Sequence, residues 1–282
     1  MKNLKDLSAW SKALPNTPVM PVIFVGHGSP MNAIQDNEFT QAWNKVGREV
    51  AQPTAILCIS AHWLTQGSTA VTAMELPPTI HDFGGFPDQL FQMQYPASGN
   101  KALVEASIAA INMTQVQEDH QWGLDHGTWS VFVHMFPEAN IPIVQLSIDY
   151  SKDASYHYAL GKELAVLRRK GVLIVSSGNI VHNLRKIAWD KMDDPHYGYD
   201  WAIEADKKVQ SYWLNHNHNA LIDWDKQGLA MQLAIPTPDH YYPMLYSLAL
   251  QEEKDQMVLF NASNTMGSLS MTSFILNHES NQ

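Results

Sequence analysis

Thirteen of the 282 residues are histidine and only one is cysteine. A single cysteine excludes an internal disulfide framework and a cysteine-based zinc site, so a metal held by this chain would have imidazole and oxygen ligands. Three histidines follow short apolar, β-branched runs. They are His27 in Phe24-Val-Gly-His-Gly-Ser-Pro30, His62 in Ile59-Ser-Ala-His-Trp63 and His182 in Ser176-Ser-Gly-Asn-Ile-Val-His182. A fourth, His240, stands in Pro236-Thr-Pro-Asp-His-Tyr-Tyr-Pro243, where three prolines stiffen the backbone around it. A fifth, His126, stands in the turn-like Trp122-Gly-Leu-Asp-His-Gly127. Imidazole binds transition metals and titrates near neutral pH, so converging histidines mean metal-assisted chemistry, proton transfer or both. One histidine after one strand is ordinarily just a hydrogen-bonded residue. Three after three strands make a metal site an equal reading, because ligands of open parallel sheets bind beyond the carboxyl ends of the strands.

Other chemistries lack their signatures. Ser29 in Gly-His-Gly-Ser-Pro is not a nucleophile elbow. There is no phosphate-binding or dinucleotide-binding glycine loop and no His-Glu-x-x-His helix. Cys58 lies inside an apolar run and reads as a buried, inert thiol. His81, in the Phe/Gly loop, reads as a packed loop residue before a pocket wall. His216 and His218 flank Asn217 in a polar helix end and read as solvated.

The elements that must position the histidines alternate. Strands are expected at Pro21–Gly26, Thr54–Ser60, Ile141–Ile148 and Gly171–Ser177, with a further strand at Gln256–Phe260 and an edge strand within Ser268–Leu276. Helical spacing runs through Glu38–Glu49, Lys101–Ile111, Ala154–Lys170, Trp201–Asn215 and Tyr242–Gln251. Strands that are apolar throughout suit a sheet covered on both faces. The fold class is therefore α/β, a single domain with a central, mostly parallel sheet flanked by helices. The stretch Leu76–Pro96, with four prolines and three phenylalanines, reads as a long ordered loop of the kind that carries function. An acidic excess of 28 over 18 argues against nucleic acid or an anionic membrane as the main partner. No apolar run reaches the roughly 20 residues of a membrane span, and the first 14 residues lack the apolar core of a secretory signal. A soluble protein of a reducing compartment, the cytoplasm, is expected.

Six strings in order carry a resemblance: Gly26-His-Gly-Ser-Pro-Met31, Ser60-Ala-His-Trp63, Pro78-Thr-Ile-His-Asp-Phe-Gly-Gly-Phe-Pro87, Asp125-His-Gly127, Ser177-Gly-Asn-Ile-Val-His-Asn-Leu184 and Pro236-Thr-Pro-Asp-His-Tyr241. The chain resembles the class III extradiol ring-cleavage dioxygenases, in the branch of the 4,5-DOPA dioxygenases and their bacterial relatives. The resemblance implies an N-terminal extension over residues 1–18 and a catalytic domain over 19–278. It implies His27, His62 and His240 as metal ligands and His182 as an acid/base residue that can also act as a fourth ligand. It implies His126 as a contact to substrate or dioxygen. The implied cofactor is Fe(II), and the implied substrates are O2 and a catechol such as L-DOPA. Zn(II), which outranks Fe(II) in general affinity, is the metal expected in purified protein. Phe83 and Phe86 are expected to wall the ring site. Two other readings fit a histidine cluster: a zinc hydrolase using metal-bound hydroxide, and a fully coordinated storage site. Oligomeric state is not legible.

Overall fold

The structure is a computed structural model that describes residues 14–192 and 194–279. The expected extension over 1–18 lies largely outside the described residues. Residues 14–18 pack on the body, with Leu14 buried and Thr17 accepting from the backbone N–H of Gly171 through its hydroxyl.

Among the described residues ten strands form in chain order: β1 Val22–Gly26, β2 Ala55–Thr65, β3 Thr69–Thr72, β4 Val116–Asp119, β5 Ile143–Asp149, β6 Val172–Gly178, β7 Asp255–Phe260, β8 Asn264–Thr265, β9 Leu269–Ser270 and β10 Ser273–His278. Eight make one sheet in the order β4-β3-β5-β2-β6-β1-β10-β7, and β8 with β9 forms a separate ribbon. The centre, β5-β2-β6-β1, is parallel throughout. At one side β10 and then β7 add antiparallel strands. At the other, β3 runs antiparallel to β5 and parallel to β4.

The central strands are apolar on both faces because each face has its own core. Val22 and Phe24 of β1, with Ala55, Leu57 and Ile59 of β2, enter one cluster. Ile23 and Val25, with Ile56 and Cys58, enter the other. This is the two-residue alternation of a strand applied to a sheet covered twice. Trp213 of the helix Asp200–Leu214 packs edge-on against Phe24 on the first face. Trp43 of the helix Glu38–Glu49 and Trp129 of the helix His126–Met135 fill the second.

Several boundaries differ from the sequence expectation. The C-terminal strand is β10, and it is interior; β7 is the edge. Strand β2 continues past Ser60 to Thr65, so His62 lies inside it. The Asp125 carboxylate accepts from the Thr128 N–H and caps a helix beginning at His126, where a turn was expected. The helix from Ala154 ends at Glu163 and tightens into a 3-10 stretch to Lys170, closed by Gly171 at φ +70°. Strands β3 and β4 are too short, at four residues each, to show a pattern in the sequence.

Candidate active site

All five singled-out histidines border one cavity of about 860 Å³ at the carboxyl edge of the central strands. Each arrives by a different local device.

His27 directly follows β1, and its backbone N–H donates to the carbonyl of Gly178 at 3.1 Å. Its Nδ1 lies 2.9 Å from the hydroxyl of Ser177, which β6 holds in register with Val25. The Ser177 hydroxyl spends its one proton on the carbonyl of Gly127. It must therefore accept from His27 Nδ1–H, and this fixes the His27 tautomer with a bare lone pair on Nε2.

His62 sits where β2 breaks register. Ile59 pairs with Leu146 and Leu64 with Ile148, so five steps along β2 oppose two along β5. Such a bulge re-aims side chains, here away from the strict alternation of the strand. His62 Nδ1 faces the Asp82 carboxylate at 3.3 Å, which favours a proton on Nδ1 and leaves Nε2 bare.

His240 stands in the irregular segment before the helix Tyr242–Ala249, with the Asp239 carboxylate on its Nδ1. Its carbonyl accepts from Asn179 N–H at 2.8 Å, and a side chain in place of Gly178 would strike that carbonyl. His182 is placed by a backbone bridge to Leu269 and by donation of its N–H to Ala234. Its ring stacks on His240 with centroids 3.5 Å apart and planes 6° from parallel. His126 opens its helix, and Asp82 accepts from its backbone N–H and from its Nδ1, both at 2.9 Å.

The result is two bare nitrogens, His27 Nε2 and His62 Nε2, facing each other at 3.2 Å. Two acceptors cannot hydrogen-bond. A cation between them turns this opposition into attraction, and His240 offers a third nitrogen, with one ligand atom from each residue within 4.8 Å of the others. Burial and mutual repulsion hold the histidines in their neutral, ligating form. Burial first, then the neighbouring imidazoles, keep His27 and His240 well below the usual range. For His62 the same causes lower the value to about 3. Burial lowers His182 to about 4. Burial opposes ionisation of Asp82, but hydrogen bonds from His126 prevail and lower it. The donor set therefore fits a divalent metal on three neutral imidazoles, each oriented through its other nitrogen by an oxygen partner.

Those oxygen partners were not singled out in the sequence. Asp239 adjoins the chosen His240, while Asp82 follows His81, which was not chosen; the twice-repeated Asp-His pair, Asp125-His126 and Asp239-His240, is a signal that was available. The two pairs nevertheless work differently. Asp239 orients its own neighbour, whereas Asp125 points away from His126. The Asp125 carboxylate accepts from Ser60 Oγ at 2.6 Å and Gln145 Nε2 at 2.7 Å, and burial raises its pKa. It thereby ties the His126 helix to the bulge of β2. Ser177 carried no sequence signal, since its role depends on which strand lies beside β1.

The remaining histidines lie elsewhere. His81 hydrogen-bonds the carbonyl of Met93 at 3.0 Å and packs on Phe83 and Trp129. His218 is not solvated but hydrogen-bonded to Tyr158 and Gln251. Cys58 is buried 3.3 Å from Thr128 Oγ1, and burial pushes its thiol up, out of reach of thiolate chemistry. Phe83 and Phe86 both border the cavity, and Phe83 meets His126 edge-on at 5.4 Å.

Residues 17–271 match the family described as the catalytic LigB subunit of aromatic ring-opening dioxygenase. The chain belongs to the LigB family. Among its relatives, the 4,5-DOPA dioxygenase extradiol of Escherichia coli is 44% identical over 259 residues, which is 90% of this chain and 93% of the relative. The protein of the same name from Beta vulgaris is 33% identical, over 91% of this chain and 96% of its own. The crystal structure of an uncharacterized protein from Escherichia coli K12 superposes with a TM-score of 0.78 at 38% identity, covering 92% of this chain and all of the other. This LigB-family chain is thus an extradiol ring-cleavage dioxygenase, with a histidine cluster suited to the metal such enzymes require. The hydrolase and storage readings give way to that assignment. No helix among the described residues is long and apolar enough to cross a membrane.

Proposed function

We propose that the protein is a non-haem Fe(II) enzyme that opens the ring of a catechol such as L-DOPA by 4,5-cleavage. The reading rests on one observation above others: the bare nitrogens of His27 and His62 face each other at 3.2 Å, beside His240. In this reading those three residues hold the metal. Ferrous iron, when bound, lowers the pKa of a catechol hydroxyl and offers open positions for the diol and dioxygen together.

The chain's own residues supply the rest. His182 has no hydrogen bond to either ring nitrogen among the described residues, so it is free to take a proton from a substrate hydroxyl and return it later. Its stacking on His240 fixes the plane of the ring. The same closeness lets it serve as a fourth ligand to zinc. His126 donates Nδ1–H to Asp82, which leaves Nε2 to accept a hydrogen bond from the substrate or, once protonated, to donate one to an oxygen. Asp82 serves two rings at once, because its Oδ2 also faces His62. Phe83 and Phe86 offer flat apolar walls that exclude water from an aromatic ring.

Anaerobic reconstitution with Fe(II) and, separately, with Zn(II) tests this reading. Oxygen uptake and a yellow ring-opened semialdehyde are expected with iron alone, while protein purified without iron is expected to carry zinc. Activity with zinc and none with iron would overturn the mechanism.

A further inference from the structure

The cavity is larger than a catechol needs, and the chemistry of its wall is uneven. Beyond the histidines much of the wall is apolar, including Phe83, Phe86, Ile187, Trp189, Met192 and Met266, with Ser29, Asn32, Gln35 and Thr265 among its polar residues. Two carboxylates border it, Asp82 and Asp36. Asp82 is committed to His126 and His62. Asp36 is not: it is exposed, follows the short helix Pro30–Ile34, and accepts one hydrogen bond, from Gln41 Nε2 to Oδ1 at 3.0 Å. Its Oδ2 has no protein partner among the described residues. The neighbouring Asn37 is occupied, since its side chain caps the following helix and donates to Asn32. Arg185 and Lys186, which precede the wall residue Ile187, line a separate groove with Tyr199 and Trp201, and the Lys191 ammonium lies over the Tyr197 ring at 5.7 Å. No Lys or Arg among the described residues borders the main cavity.

A mostly apolar cavity with an uncommitted carboxylate on its wall selects by charge on the arm of the substrate. We infer that Asp36 sets specificity for catechols whose para arm is apolar and ends in an ammonium or an uncharged group, and that a carboxylate at that end is disfavoured. The inference rests on the catechol reading above and sharpens it. An amino-acid tail then has its ammonium matched and its carboxylate unmatched, so L-DOPA is an intermediate substrate rather than the best one. Methionines on the wall suit arms of varied shape, because thioether side chains repack without branching. The discrimination has a repulsive part as well as an attractive one, which is how specificity is commonly built.

Four catechols with the same ring and a similar short arm provide the test: dopamine, 4-ethylcatechol, L-DOPA and dihydrocaffeate, with the Fe(II) enzyme. The kcat/KM for dopamine is expected to exceed that for dihydrocaffeate by about tenfold, an exposed carboxylate acting through solvent on both tails. L-DOPA should fall between them. Asp36→Asn should lower the dopamine to 4-ethylcatechol ratio by about threefold, and Asp36→Lys should tip the balance toward dihydrocaffeate. Reading ratios cancels any general loss of activity. The Kd values for the zinc-loaded protein, measured without turnover, should follow the same order. Dihydrocaffeate equal to or better than dopamine, or ratios unmoved in both variants, would overturn the assignment of Asp36 while leaving ring cleavage intact. Failure of the iron enzyme to open any of the four would overturn the catechol reading itself, and this inference with it.

Discussion

His182 differs from the other four cavity histidines in that neither of its ring nitrogens is hydrogen-bonded among the described residues. His27 has Ser177, His62 and His126 share Asp82, and His240 has Asp239. A residue left free in this way suits proton transfer better than coordination. His182→Gln is expected to keep its iron, measured by elemental analysis, while kcat/KM falls by about 10²- to 10⁴-fold. Ser177 is the converse case, a residue that would act on a bound metal only through His27. Ser177→Ala removes the acceptor that fixes the His27 tautomer, and metal affinity should drop by about 10- to 100-fold in a chelator competition titration. At this scale the sequence pointed to the histidines and, through the Asp239-His240 pair, to one of their partners, but not to Asp82 or Ser177. A histidine placed after a strand can be recognised along the chain, whereas Ser177 matters only because β6 lies beside β1.

At the level of elements, the site depends on two close approaches between segments distant in sequence. The N-terminal turn of the helix His126–Met135 lies against the bulge in β2, and a Cβ on Gly127 would stand 2.5 Å from Ser60 Oγ and 2.8 Å from His62 Cδ2. Gly127→Ala must therefore displace the His62 ring or the Asp125–Ser60 contact. Overpacking of this kind costs about 1–3 kcal/mol. We expect a lowered Tm in calorimetry together with weakened metal binding, since the group displaced is a proposed ligand. The bulge explains why His62 was expected just past a strand and is found inside one. A bulge leaves no hydrophobic signature, because it is defined by pairing with β5 rather than by composition. The start of the His126 helix was hidden for a related reason: Trp122-Gly-Leu-Asp-His-Gly127 contains a capping aspartate among turn-forming residues, and the apolar face that follows packs on the sheet.

For the whole molecule, stability rests on two cores and on one buried ion pair at the sheet's antiparallel side. Arg168 is fully buried and its guanidinium grips Asp255 at 2.6 and 2.8 Å, with further donations to the carbonyls of Met20 and Leu250. Burial alone would raise the Asp255 carboxyl; the Arg168 fork prevails and holds it below the usual carboxylate range. A carboxyl lowered by folding contributes stability above the unfolded pKa, about 4, and the contribution is lost as pH falls through the folded value. Urea unfolding followed from pH 7 downward should therefore show a decline that steepens below about pH 4. Arg168→Met strips the buried carboxylate of its guanidinium partner, leaving only His278 Nδ1 and the Glu252 N–H beside it, and should cost about 3–5 kcal/mol near neutral pH. The same variant should flatten the acid decline, because the depressed value it would titrate through is gone.

The sequence by itself determined the fold class and the family, and it singled out five histidines that the fold brings to one cavity, because strand and helix periodicities and short motifs are written along the chain and need no neighbours to be read. It determined the two-faced central strands, since a run with no polar residues has only one place to go. The tertiary structure alone decided the strand order, the interior place of β10, the bulge that turns His62, the pairing of Asp82 with His62 and His126 and of Ser177 with His27, and the tie of Asp125 to Ser60 and Gln145. Each of these is a relation between segments far apart in sequence, fixed by pairing register and by which groups must share a proton in a buried space. Even the meaning of the histidine count was settled there: two lone pairs at 3.2 Å, which only a cation reconciles, set this cluster apart from the other histidines of the chain.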